Sequence, residues 1–228
     1  YQLFLTELCA LLGLPTPDPA SRDSRDNAYV FERRVVMREP DGSPRDRYID
    51  LYRRGAFVLE AKQSGKALDT SGWDSAMVAA HKQADQYVRA LPADEGRPPF
   101  IVVVDVGRNI ELYAEFSRSG GNYTAFPDPR HFRIRLDDLR RPDIRERLCT
   151  LWLDPMRLDP SRESARVTRQ IADQLAALAK SLEAGGHGAE DVATLRRLVD
   201  TCRDRVRSLA DPADPAASTR VDIGRVLE

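Results

Sequence analysis

Lysine is scarce in this sequence. There are four, Lys62, Lys66, Lys82 and Lys180, so arginine supplies nearly all of the 35 basic residues. Cysteine is scarcer still: Cys9, Cys149 and Cys202 are far apart, odd in number and form no C-x-x-C. That excludes a zinc ribbon and a disulfide framework, and it leads us to expect a reducing, cytoplasmic setting. No apolar run approaches the roughly 20 residues of a membrane span, and no charged-then-apolar leader points to export. A net charge of −1 excludes a protein that coats nucleic acid by charge alone. His81, His131 and His187 have no ligand spacing and are expected at the surface. Gly65-Lys66 is no phosphate loop, because the motif's first glycine would fall at Glu60 and no Ser or Thr follows. There is no G-x-S-x-G elbow.

What remains is a chain of 228 residues, 42% hydrophobic and 31% charged, which can build a core. Cys9 and Cys149 are expected within that core. Arginines cluster at Arg130, Arg133, Arg135, Arg140 and Arg141, and a GC-rich genome that prefers arginine codons is the expected account of them. The chain opens at Tyr1 rather than a methionine, so we expect a piece of a longer protein.

Residues 2–12 place apolar side chains at 3, 4, 8, 11 and 12, the spacing of an amphipathic helix, with Gly13 and Pro15 ending it. Strands are expected over 28–37, 46–53 and 56–63, with Asp41-Gly42 and Pro44 as turn signals between the first two. A helix follows over 73–91, then two strands at 100–106 and 110–116. The first of these is apolar enough to lie buried on both faces. A loop, a short strand near 132–136 and helices from Asp143 onward complete the pattern. Asp159-Pro160-Ser161 starts a long helix with apolar residues at 167, 171, 175, 178 and 182. A second helix is expected over 190–209, and 211–218 reads as a linker. The shift near Asp159 marks a boundary between an α/β domain (1–158) and a helical segment (159–228).

The chemistry-bearing feature is "DLYRRGAFVLEAK" at 50–62. A hairpin tip at Arg54-Gly55-Ala56 pairs residues whose numbers sum to about 110. Asp50 then faces Glu60 across the strands, and Lys62 shares the face of Val58 and Glu60. Asp50 is expected on the face of Tyr48 and Tyr52, with Ile49 and Leu51 on the other. Two like charges directly opposite each other repel, and a divalent cation between them reverses the sign, Mg²⁺ being commonly held by one or two carboxylates. Lys62 stands where it can hold an anion or a water. These parts suit metal-assisted attack of water on a phosphodiester. Glu7 sits within the apolar arc of the first helix, either as a further metal ligand or as an acid at the arc's edge. Gln83 and Tyr87, four apart, share one helix face and could orient the water or the DNA backbone.

Ile49-Asp50, nine residues, then Glu60-Ala61-Lys62 resembles the PD-(D/E)xK nuclease signature. Gln83-x-x-x-Tyr87 resembles the extra motif of the branch related to RecB-type nucleases. The long phrases "RPPFIVVVDVGRNIELYAEFSRSGGNYTAFPDPRHFRIRLDDL" and "LWLDPMRLDPSRESARVTRQIADQLAALAKSLE" are similar to the amino-terminal part of the MmeI-like (type IIL) fused restriction–methyltransferase proteins. The resemblance covers about Phe4 to Glu183. It implies an α/β core with a mixed sheet flanked by helices, followed by a helical spacer.

It also implies a metal-dependent DNA endonuclease module of a restriction-modification or phage-defence protein. Asp50, Glu60 and the Ala61 carbonyl would bind Mg²⁺ (or Mn²⁺), Lys62 would position or activate the water, and Glu7 and Gln83 would support the site. No Asn-Pro-Pro-Tyr-type motif and no glycine-rich S-adenosylmethionine loop occurs here. Adenine-N6 methylation and target recognition would therefore belong to other domains or subunits. Double-stranded DNA is the implied partner, and double-strand cleavage from one site implies two copies. The alternative is a catalytically silent nuclease-fold domain that binds DNA or acts as a scaffold.

Overall fold

The computed structural model describes residues 1–184 except 22, 24 and 25, and also 193, 195–197, 200 and 201. The expected helix of 190–209 lies outside the described residues apart from those few positions, and the expected linker at 211–218 lies outside them altogether. The chain divides into two compact units, Tyr1–Leu158 and Asp159–Glu228.

The first unit is α/β, built on a seven-stranded mixed sheet. Helix α1 (Gln2–Leu12) precedes strands β1 (Tyr29–Arg38), β2 (Pro44–Arg53) and β3 (Phe57–Lys62). Helix α2 (Ser71–Ala90) then crosses to β4 (Phe100–Asp105), followed by β5 (Asn109–Ala114), β6 (Thr124–Ala125) and β7 (Arg133–Arg135). Helix α3 (Pro142–Leu153) closes the unit, and α4 (Pro160–Ala184) belongs to the second. The strands lie in the order β1-β2-β3-β4-β5-β6, with β7 also on β5. Among the described strand pairs only β3–β4 is parallel, α2 providing the crossover that a parallel pair requires. All six residues of β4 are buried, as its apolar run predicts.

Two apolar layers cover the sheet. On one face Trp73, Met77, Ala80, Ala84 and Val88 of α2 pack on Val58, Ile101 and Val103. Their spacing of three and four forms one stripe. Thr70 starts the helix by accepting from the Trp73 amide, and Pro92 stops it. On the other face Leu5, Leu8, Cys9 and Leu12 of α1 join Leu148, Leu151 and Trp152 of α3 against Leu51, Phe57, Leu59 and Val102. The short β6 falls where a loop is expected. Two residues are too few for a period to show.

Within this frame a buried ion cluster ties the β1–β2 pair to the turn after α2. Glu95 accepts from Arg33 and from the Tyr52 hydroxyl, while the Arg33 guanidinium lies 5.7 Å from the centre of the Tyr52 ring. In the second unit, Ile171 and Leu178 of α4 stand about half exposed. Among the described residues no helix is long and apolar enough to cross a membrane.

Candidate active site

The β2–β3 hairpin turns where the sequence predicts. Gly55 sits at the centre of the tip in the left-handed conformation, φ 71°, a region open to glycine at little steric cost. The pairs Leu51↔Leu59, Tyr52↔Val58 and Arg53↔Phe57 all sum to 110. Carried one residue further, that register sets Asp50 opposite Glu60. The ladder changes character there: Asp50 Oδ2 accepts from the Ala61 amide at 2.7 Å.

Asp50 also has a neighbour on its other side. Strand β1 pairs Phe31↔Leu51 and Arg33↔Ile49, which brackets Glu32 opposite Asp50. Three acids, Glu32, Asp50 and Glu60, therefore occupy one row across three adjacent strands. Glu32 has φ 54°, a conformation strand residues with side chains avoid. The alternation of β2 slips at this point. Leu51 packs with the α1–α3 layer but Ile49 with the α2 layer. The expectation that Ile49 and Leu51 share a face is corrected accordingly.

Glu60 is 2% exposed. Its Oε1 accepts from Lys62 Nζ at 2.6 Å, and its Oε2 is buried without a hydrogen-bond partner. Lys62 Nζ also donates to Gln83 Oε1 at 3.1 Å, and Gln83 Nε2 donates to the Tyr87 hydroxyl at 2.8 Å. A chain Glu60–Lys62–Gln83–Tyr87 thus runs from β3 to α2. Burial pushes the Glu60 carboxyl up to about 7, Lys62 opposing and the Asp50 charge adding to the rise. Asp50 is raised as well, chiefly by burial, against the Ala61 amide and Lys62 and with Glu32 adding to it. Tyr87 is raised by burial.

Asp105 fixes the end of the strand that carries Lys62. It lies beside Lys62 in the β3–β4 register and is fully buried. It accepts from the Ser64 amide and hydroxyl and from Trp73 Nε1, at 3.1, 2.9 and 2.8 Å. The exit of β3 and the start of α2 are held to one carboxylate.

Whether a divalent cation fits can be judged from these atoms. Glu60 Oε2 lacks a partner, and a buried acceptor left alone is unfavourable. A cation beside Asp50 and Glu60 would satisfy it. Among the described residues no group of three or more His, Cys, Asp or Glu side chains could hold a metal. Two carboxylates with main-chain and water oxygens is an arrangement Mg²⁺ accepts.

Six of the expected site residues, Asp50, Glu60, Ala61, Lys62, Gln83 and Tyr87, are linked by these contacts. Glu7 is not among them. It is exposed and lines a groove with Leu136, Leu139, Arg140 and Arg145. The buried stripe of α1 is Leu5, Leu8, Cys9 and Leu12, while Leu3 and Leu11 are exposed. The acid that the sequence reading missed is Glu32, whose Oε1 accepts instead from Tyr1 and Gln2 at the start of α1. Its one signal was position: it sits opposite Asp50 once β1 and β2 are paired. His81 is also corrected, being half-buried with its ring 4.1 Å from that of Tyr113. The arginine cluster is largely neutralised. Arg133 binds Glu111 and Asp74, Arg135 binds Asp69, and Arg141 binds Asp143.

The family described as "MmeI, N-terminal domain" matches residues 1–185. The chain belongs to this family. No curated protein and no solved structure matches it. The MmeI-family match takes in both carboxylates, Lys62 and the Gln83–Tyr87 pair, and it continues through α4.

Proposed function

We propose that this chain is the metal-dependent DNA-cleaving module of an MmeI-like restriction-modification or phage-defence protein. The observation that supports the reading is the pair of carboxylates brought together on β2 and β3, one of them buried with a free oxygen and touching a lysine. Burying an acid beside another acid is unfavourable for folding alone; it is useful if a cation binds there.

Asp50, Glu60 and the Ala61 carbonyl would hold Mg²⁺, which when bound supplies positive charge to a phosphodiester oxygen and lowers the pKa of water. The chain's own groups do the rest. Lys62, already tethered by Gln83, holds the attacking water or a phosphate oxygen as a point charge with three donors. Gln83 fixes that ammonium in place, and Tyr87 fixes the amide of Gln83, so the donor is oriented before substrate arrives. The Ala61 amide holds one oxygen of Asp50. Target recognition and adenine methylation are assigned to other domains or subunits, and paired cuts in a duplex to two copies of the module.

Calorimetric titration of Mn²⁺ or Mg²⁺ into wild type, Asp50→Ala and Glu60→Ala tests the site. Binding by wild type that both substitutions abolish is expected, followed by Mn²⁺-dependent plasmid nicking that Lys62→Ala slows by about 100-fold or more. A folded wild type that neither binds the cation nor nicks DNA overturns the reading. It would favour a silent nuclease-fold domain that binds DNA or acts as a scaffold.

A further inference from the structure

Strands β1 and β2 run on past the site as a two-stranded arm, closed by a turn in which Gly42 has φ 83°. Between this arm and α2 lies a groove of about 640 Å³. Arg38 and Arg47 line it from the arm, and Lys82, Gln83, Gln86 and Tyr87 line it from α2. Gln83 and Tyr87 are also the far end of the chain that begins at Glu60. The groove and the carboxylate–lysine site therefore share side chains.

Its walls carry a local excess of positive charge. Arg38 and Lys82 are exposed, and among the described residues neither side chain has a hydrogen-bond or ion-pair partner. They stand on opposite walls. The groove's acid, Glu39, pairs with Arg47 at 2.9 Å and with Arg45 at 3.6 Å. Arg38, Arg47 and Lys82 against Glu39 leave a local charge of +2 on a chain whose total is −1. Elsewhere Arg34, Arg89, Arg133, Arg135 and Arg141 are all paired to acids. Two of the four lysines, Lys62 and Lys82, lie at this one place, in the site and at its groove.

We propose that this groove seats one phosphate backbone of duplex DNA and leads it to the carboxylate–lysine site, with Arg38 and Lys82 as the phosphate contacts; this rests on the reading of the chain as a DNA-cleaving module. Unpaired cations on facing walls neutralise successive phosphates and release their counterions. Gln86 offers an amide to a phosphate oxygen, and Met37 and Pro40 give an apolar stretch of wall for deoxyribose. Such contacts set the position of the strand and read no sequence, in keeping with recognition placed elsewhere.

The test is fluorescence anisotropy of a labelled 20-base-pair duplex in EDTA across a salt series. Wild type is compared with Arg38→Glu/Lys82→Glu and with Arg130→Glu/Arg140→Glu, which makes the same charge change on exposed arginines outside the groove. The groove variant should lose at least about tenfold in affinity, with a salt slope shallower by about 2. The control should stay within about threefold of wild type. Equal losses in both variants, no loss in the groove variant, or no binding by wild type overturns the proposal. Mn²⁺-dependent plasmid nicking by wild type is scored in parallel. Nicking with unchanged binding of the groove variant removes the groove and keeps the nuclease. Groove-dependent binding without nicking keeps the groove and removes the nuclease.

Discussion

At the scale of single residues the site is defined by acids placed where folding alone would not put them. Burial raises Glu60 from 4.5 to about 7, so the folded state keeps a proton over pH 4.5 to 7 that the unfolded chain has lost. Stability of the metal-free protein should therefore fall as pH rises through that window and level off above it, by on the order of 3 kcal/mol. Glu60→Gln should remove most of this slope in denaturant melts taken in EDTA, and an unchanged slope would show that Glu60 titrates normally. Glu32 makes the opposite kind of case, one of backbone rather than charge. At φ 54° a β-branched residue is strained despite its strand preference, so Glu32→Val should destabilise by about 1–2 kcal/mol. Glu32→Gly should stay within about 0.5 kcal/mol of wild type, because relief of strain offsets glycine's entropy. The two melts together separate backbone strain at position 32 from loss of the side chain.

At the scale of elements, the hairpin explains how much could be read in advance. Gly55 and the alternation of Val58, Glu60 and Lys62 pointed to one register, so the pairing of Leu51 with Leu59 that brings Asp50 near Glu60 was legible in the sequence. The slip at Ile49 was not: it lies beside Glu32, whose φ is 54°, and no local pattern carries a dihedral angle. The place of Glu7 in the apolar arc was misread for a different reason. In an eleven-residue helix this rich in leucine, the arcs through Phe4, Leu8 and Leu11 and through Leu5, Leu8 and Leu12 both look apolar. Only packing against α3 and the sheet chooses the second. Asp105 was invisible as a hub, since its partners Ser64 and Trp73 become neighbours only when β3, α2 and β4 assemble. That assembly is strong enough to measure. Asp105→Ala leaves the Trp73 indole N–H and the Ser64 hydroxyl without their buried acceptor and should cost about 3 kcal/mol. Urea unfolding would check it, and a loss below about 1 kcal/mol would mean that water replaces the carboxylate.

At the scale of the whole molecule, the two apolar layers grip the sheet from both sides, and the row Glu32–Asp50–Glu60 sits where β1, β2 and β3 run beside one another. The frame holds the carboxylates together before any ion arrives, which is the state the proton on Glu60 stabilises. Cation and proton then compete for the same oxygens, and the competition sets a pH dependence that belongs to the folded protein as a unit. With Glu60 near 7, about nine-tenths of its carboxyls are protonated at pH 6 and about one-tenth at pH 8, so Mn²⁺ should bind about tenfold more weakly at pH 6. Asp50, raised in the same direction, can only widen the difference. A tenfold loss is about 1.4 kcal/mol, well within calorimetric reach. Binding also shifts the melting temperature, since a ligand at 100 times its Kd stabilises by about 2.7 kcal/mol. The same Mn²⁺ concentration should therefore raise Tm clearly at pH 8 and less at pH 6. Equal shifts at both pH values would place the cation on groups other than Glu60.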